Sequence, residues 1–373
     1  MGFLQEFKIV PQIFQLETAK EFLENFQIGK NDLVFTSKFI YDKYFVDQME
    51  GAHVLFSEDY LSGEPSDETV EAIHEDIKEV VYTRVFGIGG GTILDLSKLI
   101  ALKQYMPIWD LFEGSIPREK DKQLILVPTT CGTGSEVTKI SILEFKKRNT
   151  KMGMADDVLF PEYAVLVPEL MSTLPYSVFA TSSIDALIHA TESYTSPLAN
   201  AFTKMYSKEA IRIILSGYKS LAKKEIEYTS LFKDFLLASI YGGIAFGNAG
   251  CAAVHAMSYP IGANYHVPHG EANYSVFTQV YKTYQSISYG GSLKELYEYL
   301  ASIFGCEELE AFAYMDDLLE NIIHKRPLHE YGLTPEDVET FTDTVMTKQG
   351  RLMKNNYVEL SSDVVKAIYT ELL

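Results

Sequence analysis

The sequence predicts an α/β amino-terminal domain of the Rossmann-like, dinucleotide-binding type, followed by an all-α carboxy-terminal domain. Short apolar runs alternate with helical segments over residues 1–176, helical periodicity fills residues 177–373, and a glycine-rich turn joins a strand to a helix at residues 87–98. Strands that alternate with helices of about 10–15 residues are typical of a parallel sheet. The length of 373 residues also suits two domains.

Six apolar runs are the expected strands of the first domain. In chain order they are FKIVPQIFQ, DLVFTS, HVLFSE, VVYTRVFGIGGG, QLILVPTT and YAVLVP. The segments ETAKEFLENF, FIYDKYFVDQM, SDETVEAIHEDIK and TILDLSKLIALK lie between them and have helical composition. After Leu174 and Pro175 the alternation of strands and helices gives way to helical periodicity, which places the domain boundary near residue 176.

The second domain is expected to consist of helices, with N-caps at Asn200, Ser230, Thr334 and Ser362. One stretch, residues 235–254, has 20 uncharged residues, which is about the length of a membrane span. Because it contains four glycines and Asn248, and has no second span to pack against, we expect a buried central helix.

The overall composition is that of an ordinary globular protein, with 47% hydrophobic and 22% charged residues. The net charge of −19 argues against nucleic-acid binding, which needs a basic surface. The three cysteines are widely spaced and odd in number, as expected for thiols in a reducing compartment. The start, MGFLQEFKIV, lacks the features of a signal peptide, so we expect a cytoplasmic protein without a membrane partner.

Two loops of the first domain have the composition of a nucleotide-binding site. In GIGGGTILDLSK, residues 87–98, glycines permit close approach of an anion to the amides at a helix N-terminus. A tight turn that needs positive φ is the alternative interpretation. In LVPTTCGTGSEVT, residues 126–138, small hydroxyl side chains follow another strand, where open α/β sheets bind ligands. A plain connecting loop is the alternative here, but the two loops together favour a dinucleotide.

A cluster of histidines between residues 183 and 273 suggests a metal site. Asp185 and His189 are four residues apart, so they share one face of a predicted helix. His255 lies in a second helical run, and His269 follows Pro268 where a third helix could begin. Three imidazoles and one carboxylate would suit Fe²⁺ or Zn²⁺. Solvated helix faces, core histidines or loop histidines, including His266, are equally compatible with the spacing.

The sequence resembles the iron-dependent (group III) alcohol dehydrogenases, which share the dehydroquinate synthase-like fold. Four motifs carry the resemblance in order along nearly the whole chain: GGGTILDLSK, PTTCGTGSEVT, IDALIHATESY and HAMSYPIGANYHVPHGEAN. It implies metal ligation by Asp185, His189, His255 and His269. It also implies cofactor contacts from Gly89, Gly90, Gly91, Thr92, Asp95, Thr129, Thr130, Thr133, Thr138 and Lys151.

The sequence departs from many relatives at two places. Four residues after His255, where relatives often have a histidine, this chain has Tyr259, on the same helix face. Tyr259 and His266 are the candidates for proton transfer, and Glu192 is a candidate to orient an imidazole. The strand LVFTS is followed by Lys38 where relatives selective for NAD often carry an acid. We expect NAD(H), while NADP(H) stays open.

Within the family the chain looks most similar to 4-hydroxybutyrate dehydrogenases. The resemblance implies a metal-dependent, NAD(P)-linked enzyme that interconverts a primary alcohol and its aldehyde, here 4-hydroxybutyrate and succinic semialdehyde, with Fe²⁺ as the ion and Zn²⁺ as an alternative. It also implies a homo-oligomer, with a dimer expected. The other functions considered are a zinc-dependent polyol dehydrogenase of the glycerol type, a dehydroquinate synthase-like lyase and a catalytically silent nucleotide-binding protein.

Overall fold

The computed structural model describes residues 6–61, 65–148 and 150–373. Two compact units divide the chain, and the first consists of Ile9–Leu174. The second begins at Pro175, one residue before the first long helix, whereas the sequence placed the boundary after residue 176. The described residues before Ile9 belong to the second unit, because Phe7 stacks on Phe202 and the Lys8 amide donates to Asn248 Oδ1.

Eight strands are present in the described residues, two more than the six apolar runs predict. They are β1 (Gln12–Gln15), β2 (Asp32–Thr36), β3 (His53–Phe56), β4 (Arg84–Gly89), β5 (Gln123–Pro128), β6 (Ile140–Phe145), β7 (Thr150–Ala155) and β8 (Tyr163–Leu166). Six of them form a parallel sheet in the order β1-β8-β5-β4-β2-β3. The two additional strands, β6 and β7, form a separate antiparallel pair.

Five helices belong to the first unit: α1 (Ala19–Phe26), α2 (Lys38–Tyr44), α3 (Asp67–Ile77), α4 (Gly91–Ile100) and α5 (Ile108–Glu113). Alternate residues of each central strand point to opposite faces of the sheet. On β2, Leu33 and Phe35 pack in one apolar cluster with α3, α4 and α5, whereas Val34 packs in another with α1 and α2. The sheet is therefore covered on both faces, as the alternation of strands and helices predicts.

Ten helices lie in the described residues of the second unit, so the all-α expectation for it is confirmed. They are α6 (Tyr176–Thr195), α7 (Ala201–Ala222), α8 (Phe232–Ala249), α9 (Ala253–Tyr265), α10 (His269–Ile287), α11 (Gly291–Phe304), α12 (Ala311–Glu320), α13 (Pro335–Lys348), α14 (Gly350–Met353) and α15 (Ser362–Leu372). Asn200 and Thr334 are N-caps with capping boxes, as predicted. Ser361 caps α15 instead of Ser362, because its hydroxyl accepts the Val364 N–H.

The predicted central helix is α8, which is largely buried and packs against α6 and α7. It ends at Ala249, before Gly250 with φ of 77°, so the uncharged stretch is divided between two helices. In the described part of the chain, no single helix combines the length and apolarity of a membrane span. The helical segments Tyr228–Ala249 and Ala253–Tyr265 meet that test only together, with a bend of 105° between them.

Candidate metal centre and nucleotide-binding loops

Helix α6 holds the first two candidate ligands. Asp185 and His189 lie one turn apart on it and are 3% and 6% exposed. Helices α7, α8 and α10 pack against α6. The closest approach joins His189 Nδ1 to Asp185 Oδ2 at 3.9 Å. The spacing of four residues thus places both groups on a buried face, and the alternative of a solvated face does not apply.

Helix α9 brings His255 to the same point. Its Nδ1 lies 2.6 Å from Glu192 Oε2, and the other Glu192 oxygen accepts the Val254 N–H at 2.7 Å. Since a carboxylate only accepts, Nδ1 of His255 carries a proton, and Nε2 is the ring nitrogen that faces Asp185 and His189. This Nε2 lies 3.1 Å from His189 Nε2 and 3.6 Å from Asp185 Oδ1. The candidate role of Glu192 in orienting an imidazole agrees with this geometry.

The third helix, α10, begins at His269, as the sequence predicts. His269 Nε2 is 3.9 Å from Asp185 Oδ1, and its side chain is 36% exposed. One turn later, the amide of Asn273 donates to Asp185 Oδ1 at 2.7 Å and lies 3.1 Å from His269 Nε2. Asn273 was not among the predicted residues, although its spacing of four from His269 was a usable signal.

The donor set fits a divalent cation. Burial alone raises the pKa of Asp185, but His189, His269, His255 and the Asn273 amide more than offset this, so its pKa lies below the ordinary value. Imidazole nitrogens and carboxylate oxygens converge in a largely buried site. Three nitrogens and one oxygen are a suitable donor set for Fe²⁺ or Zn²⁺.

The two proton-transfer candidates lie at different distances from this cluster. The Tyr259 ring centroid is 6.1 Å from that of His269, on the side that the helical spacing predicts. His266 is exposed at the C-cap of α9, with φ of 53°, and belongs to neither group of potential ligands in the described residues. The structure thus brings Tyr259, but not His266, next to the candidate ligands.

Cys251 also lies at the centre, which the sequence analysis missed. Its Sγ and ligand nitrogens of His189 and His255 all lie within 4.8 Å of one another. Burial raises the pKa of this thiol, but the adjacent His255 and His189 more than offset that effect and lower it below its ordinary value. The available signal was the spacing of four residues between Cys251 and His255, although these residues span a turn and not a continuous helix.

The glycine-rich turn joins β4 to α4 as predicted. A Cβ on Gly90 would lie 3.4 Å from Thr130 Cγ2, and a Cβ on Gly91 would lie 2.6 Å from Thr133 Cγ2. Neither glycine has positive φ, so the tight-turn alternative does not explain them. Glycine is needed at position 91 because the second loop packs directly on the first, whereas a Cβ at position 90 would only make an ordinary contact. No side chain caps the N-terminus of α4, which leaves the arrangement suited to an anion.

Asp95 and Thr138 take part in a polar network beneath the loops. Asp95 accepts from Ser135 Oγ at 2.5 Å, and from the Ile142 N–H at 3.1 Å. The buried Lys98 donates to Ser135 Oγ and to the Ile140 carbonyl, both at 2.6 Å, and Thr138 Oγ1 lies 3.4 Å from its Nζ. Lys98 was missed because a lysine within an amphipathic helix is usually exposed. This network holds the second loop against α4.

Of the remaining predicted cofactor residues, three lie at the same loops and one lies on the antiparallel strand pair. Gly89 ends β4, Thr92 lies in the first turn of α4, and Thr129 is buried just after β5. Lys151 lies on β7, opposite Glu144 of β6. Because β4 and β5 are adjacent and parallel, the loops that follow them meet at one edge of the sheet.

The buried carboxyl group of Glu136 is expected to make the stability of the protein depend on pH. Neither carboxyl oxygen has a hydrogen-bond partner on another described residue, and burial, partly offset by its own amide and by Lys98, raises its pKa to about 7. The folded protein therefore binds more protons than the unfolded chain between the ordinary pKa of 4.5 and pH 7. The free energy of unfolding therefore falls by about 3 kcal/mol as the pH rises through this window.

In Glu136→Gln this loss is expected to disappear. Urea unfolding of both proteins from pH 4.5 to 8 measures the difference in the free energy of unfolding, which should grow in favour of the variant up to about pH 7 and then level off. Exposed Glu79→Gln serves as the control. A difference that stays constant across the window would show that the Glu136 carboxyl is not held protonated.

Comparison with known proteins agrees with these observations. The model of the family "Iron-containing alcohol dehydrogenase" matches residues 9–168, and the model of "Fe-containing alcohol dehydrogenase family, C-terminal" matches residues 179–373. The chain is 47% identical to a 4-hydroxybutyrate dehydrogenase of Clostridium kluyveri over 98% of its length and 99% of that protein. It is 31% identical to long-chain-alcohol dehydrogenase 1 of Geobacillus thermodenitrificans, with coverage of 91% and 89%.

Solved structures show the same fold. A sulfoacetaldehyde reductase from Bifidobacterium kashiwanohense, in complex with NAD⁺, is 25% identical and superposes with a TM-score of 0.87 over 100% of this chain and 99% of that one. A 1,3-propanediol oxidoreductase at 22% identity gives a TM-score of 0.86 over all of both chains. The predicted fold class and family are both confirmed: this chain belongs to the iron-containing alcohol dehydrogenase family.

Proposed function

We propose that the protein is an Fe²⁺-dependent, NAD(H)-linked dehydrogenase that interconverts 4-hydroxybutyrate and succinic semialdehyde. Two overlapping groups of potential ligands carry the proposal: Asp185, His255 and His269 form one, and His189 belongs with His255 to the other. Of these four residues Asp185, His189 and His255 are buried. The identity of 47% to a 4-hydroxybutyrate dehydrogenase over nearly the whole of both chains supports the choice of substrate. In the forward direction the terminal CH₂OH becomes an aldehyde, one hydride passes to the nicotinamide, and one proton leaves.

The residues of the site have different roles in this reaction. Asp185, His189, His255 and His269 would hold the ion, which supplies Lewis acidity at the alcohol oxygen when bound. Glu192 keeps His255 Nε2 directed at the site through its contact with Nδ1. Tyr259, whose ring centroid lies 6.1 Å from that of His269, would relay the proton of the alcohol through its phenol group.

The nucleotide would lie along the carboxyl edge of the parallel sheet. Its pyrophosphate fits the loop of Gly89, Gly90, Gly91 and Thr92, and the hydroxyl-rich loop with Thr129, Thr130 and Thr133 borders the same edge. Asp95 and Thr138 act by holding these loops in place, and Lys151 stays a candidate for the nicotinamide ribose. His266, which is exposed to solvent, stays a second candidate for proton transfer.

Preference for NAD(H) is explained by Glu58. The carboxyl end of β2 carries Ser37, which caps α2, and Lys38, whose amide N–H donates to Glu58 Oε2 at 2.9 Å. Glu58 follows the neighbouring parallel strand β3, so a carboxylate reaches the end of β2 from the next strand. A negative charge there accepts hydrogen bonds from ribose hydroxyls and repels a 2′-phosphate. Lys38 stands where relatives selective for NAD often carry an acid, and Glu58 thus supplies that carboxylate from the neighbouring strand.

Glu58→Gln is expected to raise kcat/KM with NADP⁺, relative to NAD⁺, by about tenfold, because the amide keeps the shape but removes about 1.4 kcal/mol of repulsion. Asp59→Asn, in the same exposed turn, is the matched control and should leave the ratio unchanged. The measurement is steady-state turnover with both coenzymes. An unchanged ratio in Glu58→Gln would remove Glu58 from coenzyme selection.

The substrate assignment is tested by oxidation of NADH in the presence of restored Fe²⁺ or Zn²⁺. Succinic semialdehyde should give a kcat/KM at least about tenfold above butyraldehyde, and dihydroxyacetone should react slowest. Higher activity with dihydroxyacetone would establish the polyol dehydrogenase alternative. Absence of turnover with any carbonyl compound would overturn the assignment to an active dehydrogenase.

We also propose that the protein is cytoplasmic and acts as a homodimer on small molecules. The net charge of −19 and the absence of disulfides among Cys131, Cys251 and Cys306 favour a soluble, reducing environment. Sedimentation equilibrium tests the oligomeric state, and a monomeric mass would exclude the dimer.

A further inference from the structure

Two groups of three potential ligands overlap at the metal centre. Asp185, His255 and His269 form a nitrogen and oxygen group, and His189, Cys251 and His255 form a nitrogen and sulfur group. In each group all ligand atoms lie within 4.8 Å of one another. Both groups contain His255, whose Nδ1 is engaged by Glu192 and whose Nε2 alone faces the centre. A single nitrogen lone pair cannot serve two ions at once.

The backbone around Cys251 is held in place by the fold. The amide of Asn355 donates to the Ala249 carbonyl at 2.8 Å and to the Cys251 carbonyl at 3.1 Å. A Cβ on Gly250, which has φ of 77°, would lie only 2.8 Å from Asn355 Nδ2. The buried side chain of Asn355 therefore fixes the backbone of this short turn between α8 and α9. The position of the thiol beside His189 and His255 follows from that geometry.

We propose that Cys251 is a metal ligand, and that His189, Cys251 and His255 form a second, thiolate-containing ion position that excludes occupation of the first. The chemistry of the donors gives the two positions different preferences. Two imidazoles with a thiolate suit Zn²⁺, whereas the carboxylate-containing group is harder and suits Fe²⁺. Zn²⁺ bound at the second position would occupy His255 and prevent Fe²⁺ from being held at the first. The inference rests on the proposed metal centre and is independent of its substrate.

Cobalt gives a readout that does not depend on turnover. Co²⁺ replaces Zn²⁺ in most nitrogen and sulfur sites, and a thiolate ligand to Co²⁺ produces a charge-transfer absorption in the near ultraviolet. Metal-free wild-type protein titrated with Co²⁺ should develop this band. Cys251→Ser should abolish it, while Cys306→Ser, at the end of α11, should retain it as the matched control.

A third variant distinguishes two separate ion positions from a single position with an additional ligand. Asp185→Asn should retain the Co²⁺–thiolate band, because Asp185 does not belong to the second group. Loss of the band in Asp185→Asn would show that Cys251 is only an extra ligand of a single position, and would overturn the proposal. Absence of the band in wild-type protein, or its persistence in Cys251→Ser, would also overturn it.

Alkylation of the wild-type protein provides the same test if Cys251→Ser does not fold. Iodoacetamide reacts with thiolates that are not ligated, and Cys251 is partly exposed. Zn²⁺ should slow modification of Cys251 by about tenfold or more, as mapped by mass spectrometry, and leave Cys306 unaffected. Equal rates at Cys251 with and without Zn²⁺ would contradict ligation. Either result is obtained without an assay of dehydrogenase activity.

Discussion

Asp185→Asn is expected to yield a folded protein that loses its Fe²⁺ during purification and retains about a thousandth of the wild-type kcat/KM. Asp185 is the only carboxylate in the proposed ligand set, and an amide oxygen is a weaker, neutral donor. Loss of the ion removes several kcal/mol of charge stabilisation in the transition state, and about 4 kcal/mol corresponds to a thousandfold in rate. Elemental analysis and steady-state kinetics measure the two effects separately.

The fold is expected to tolerate this substitution, because the amide keeps the shape of the side chain and can still contact Asn273. Asp317→Asn, at an exposed position of α12, is the control and should change neither metal content nor activity. Full Fe²⁺ content in Asp185→Asn would show that Asp185 is not a ligand of Fe²⁺. Lost activity with full Fe²⁺ content would instead assign Asp185 to orientation of the histidines.

Lys98→Met is expected to destabilise the unit formed by Ile9–Leu174 by about 3–5 kcal/mol, because it removes the cation from a buried charged pair. Lys98 is fully buried, and its ammonium group bonds to Ser135, to the Ile140 carbonyl and to Asp95 at 3.3 Å. Methionine fills the volume but leaves these acceptors without their donor. Urea unfolding, followed through the fluorescence of Trp109 in α5 of the same unit, measures the loss.

Lys103→Met is the matched control. Lys103 pairs with Glu119 at the surface, where solvent and salt screen the charges, so no measurable change is expected. A second readout of Lys98→Met is affinity for NADH, which should fall because the loop through Ser135 loses its attachment to α4. Unchanged stability in Lys98→Met would show that the apolar packing of α4 suffices to hold this loop.

Much of the first unit could be predicted because strand and helix periodicities are local properties. The central strands, such as VFGIG in β4, are continuous apolar runs, as expected for strands buried on both faces. The β6–β7 pair was missed because the apolar residues of ISILEF do not alternate strictly, although its burial in the structure does. Ser362 was predicted as an N-cap in place of Ser361, since two adjacent serines offer the same side chain and only backbone geometry distinguishes them.

In the metal centre, spacing within one helix was informative and spacing between helices was not. Asp185 and His189 share a face because the helical period requires it. His266 and His269 are three residues apart in sequence, yet only His269 reaches Asp185, because α9 ends at His266 in a left-handed conformation and α10 begins at His269. That difference depends on how the turn redirects the chain.

By itself, the sequence determined the six strands of the parallel sheet, the glycine-rich turn between β4 and α4, and the helical pairing of Asp185 with His189, since each depends on residues close together in the chain. Tertiary packing placed Glu58 beside Lys38, buried Lys98 under the second loop, and set Glu192 against His255 and Cys251 against His189. These contacts join residues that are separated along the chain. Their distances follow from how the strands and helices pack, which local periodicity does not specify.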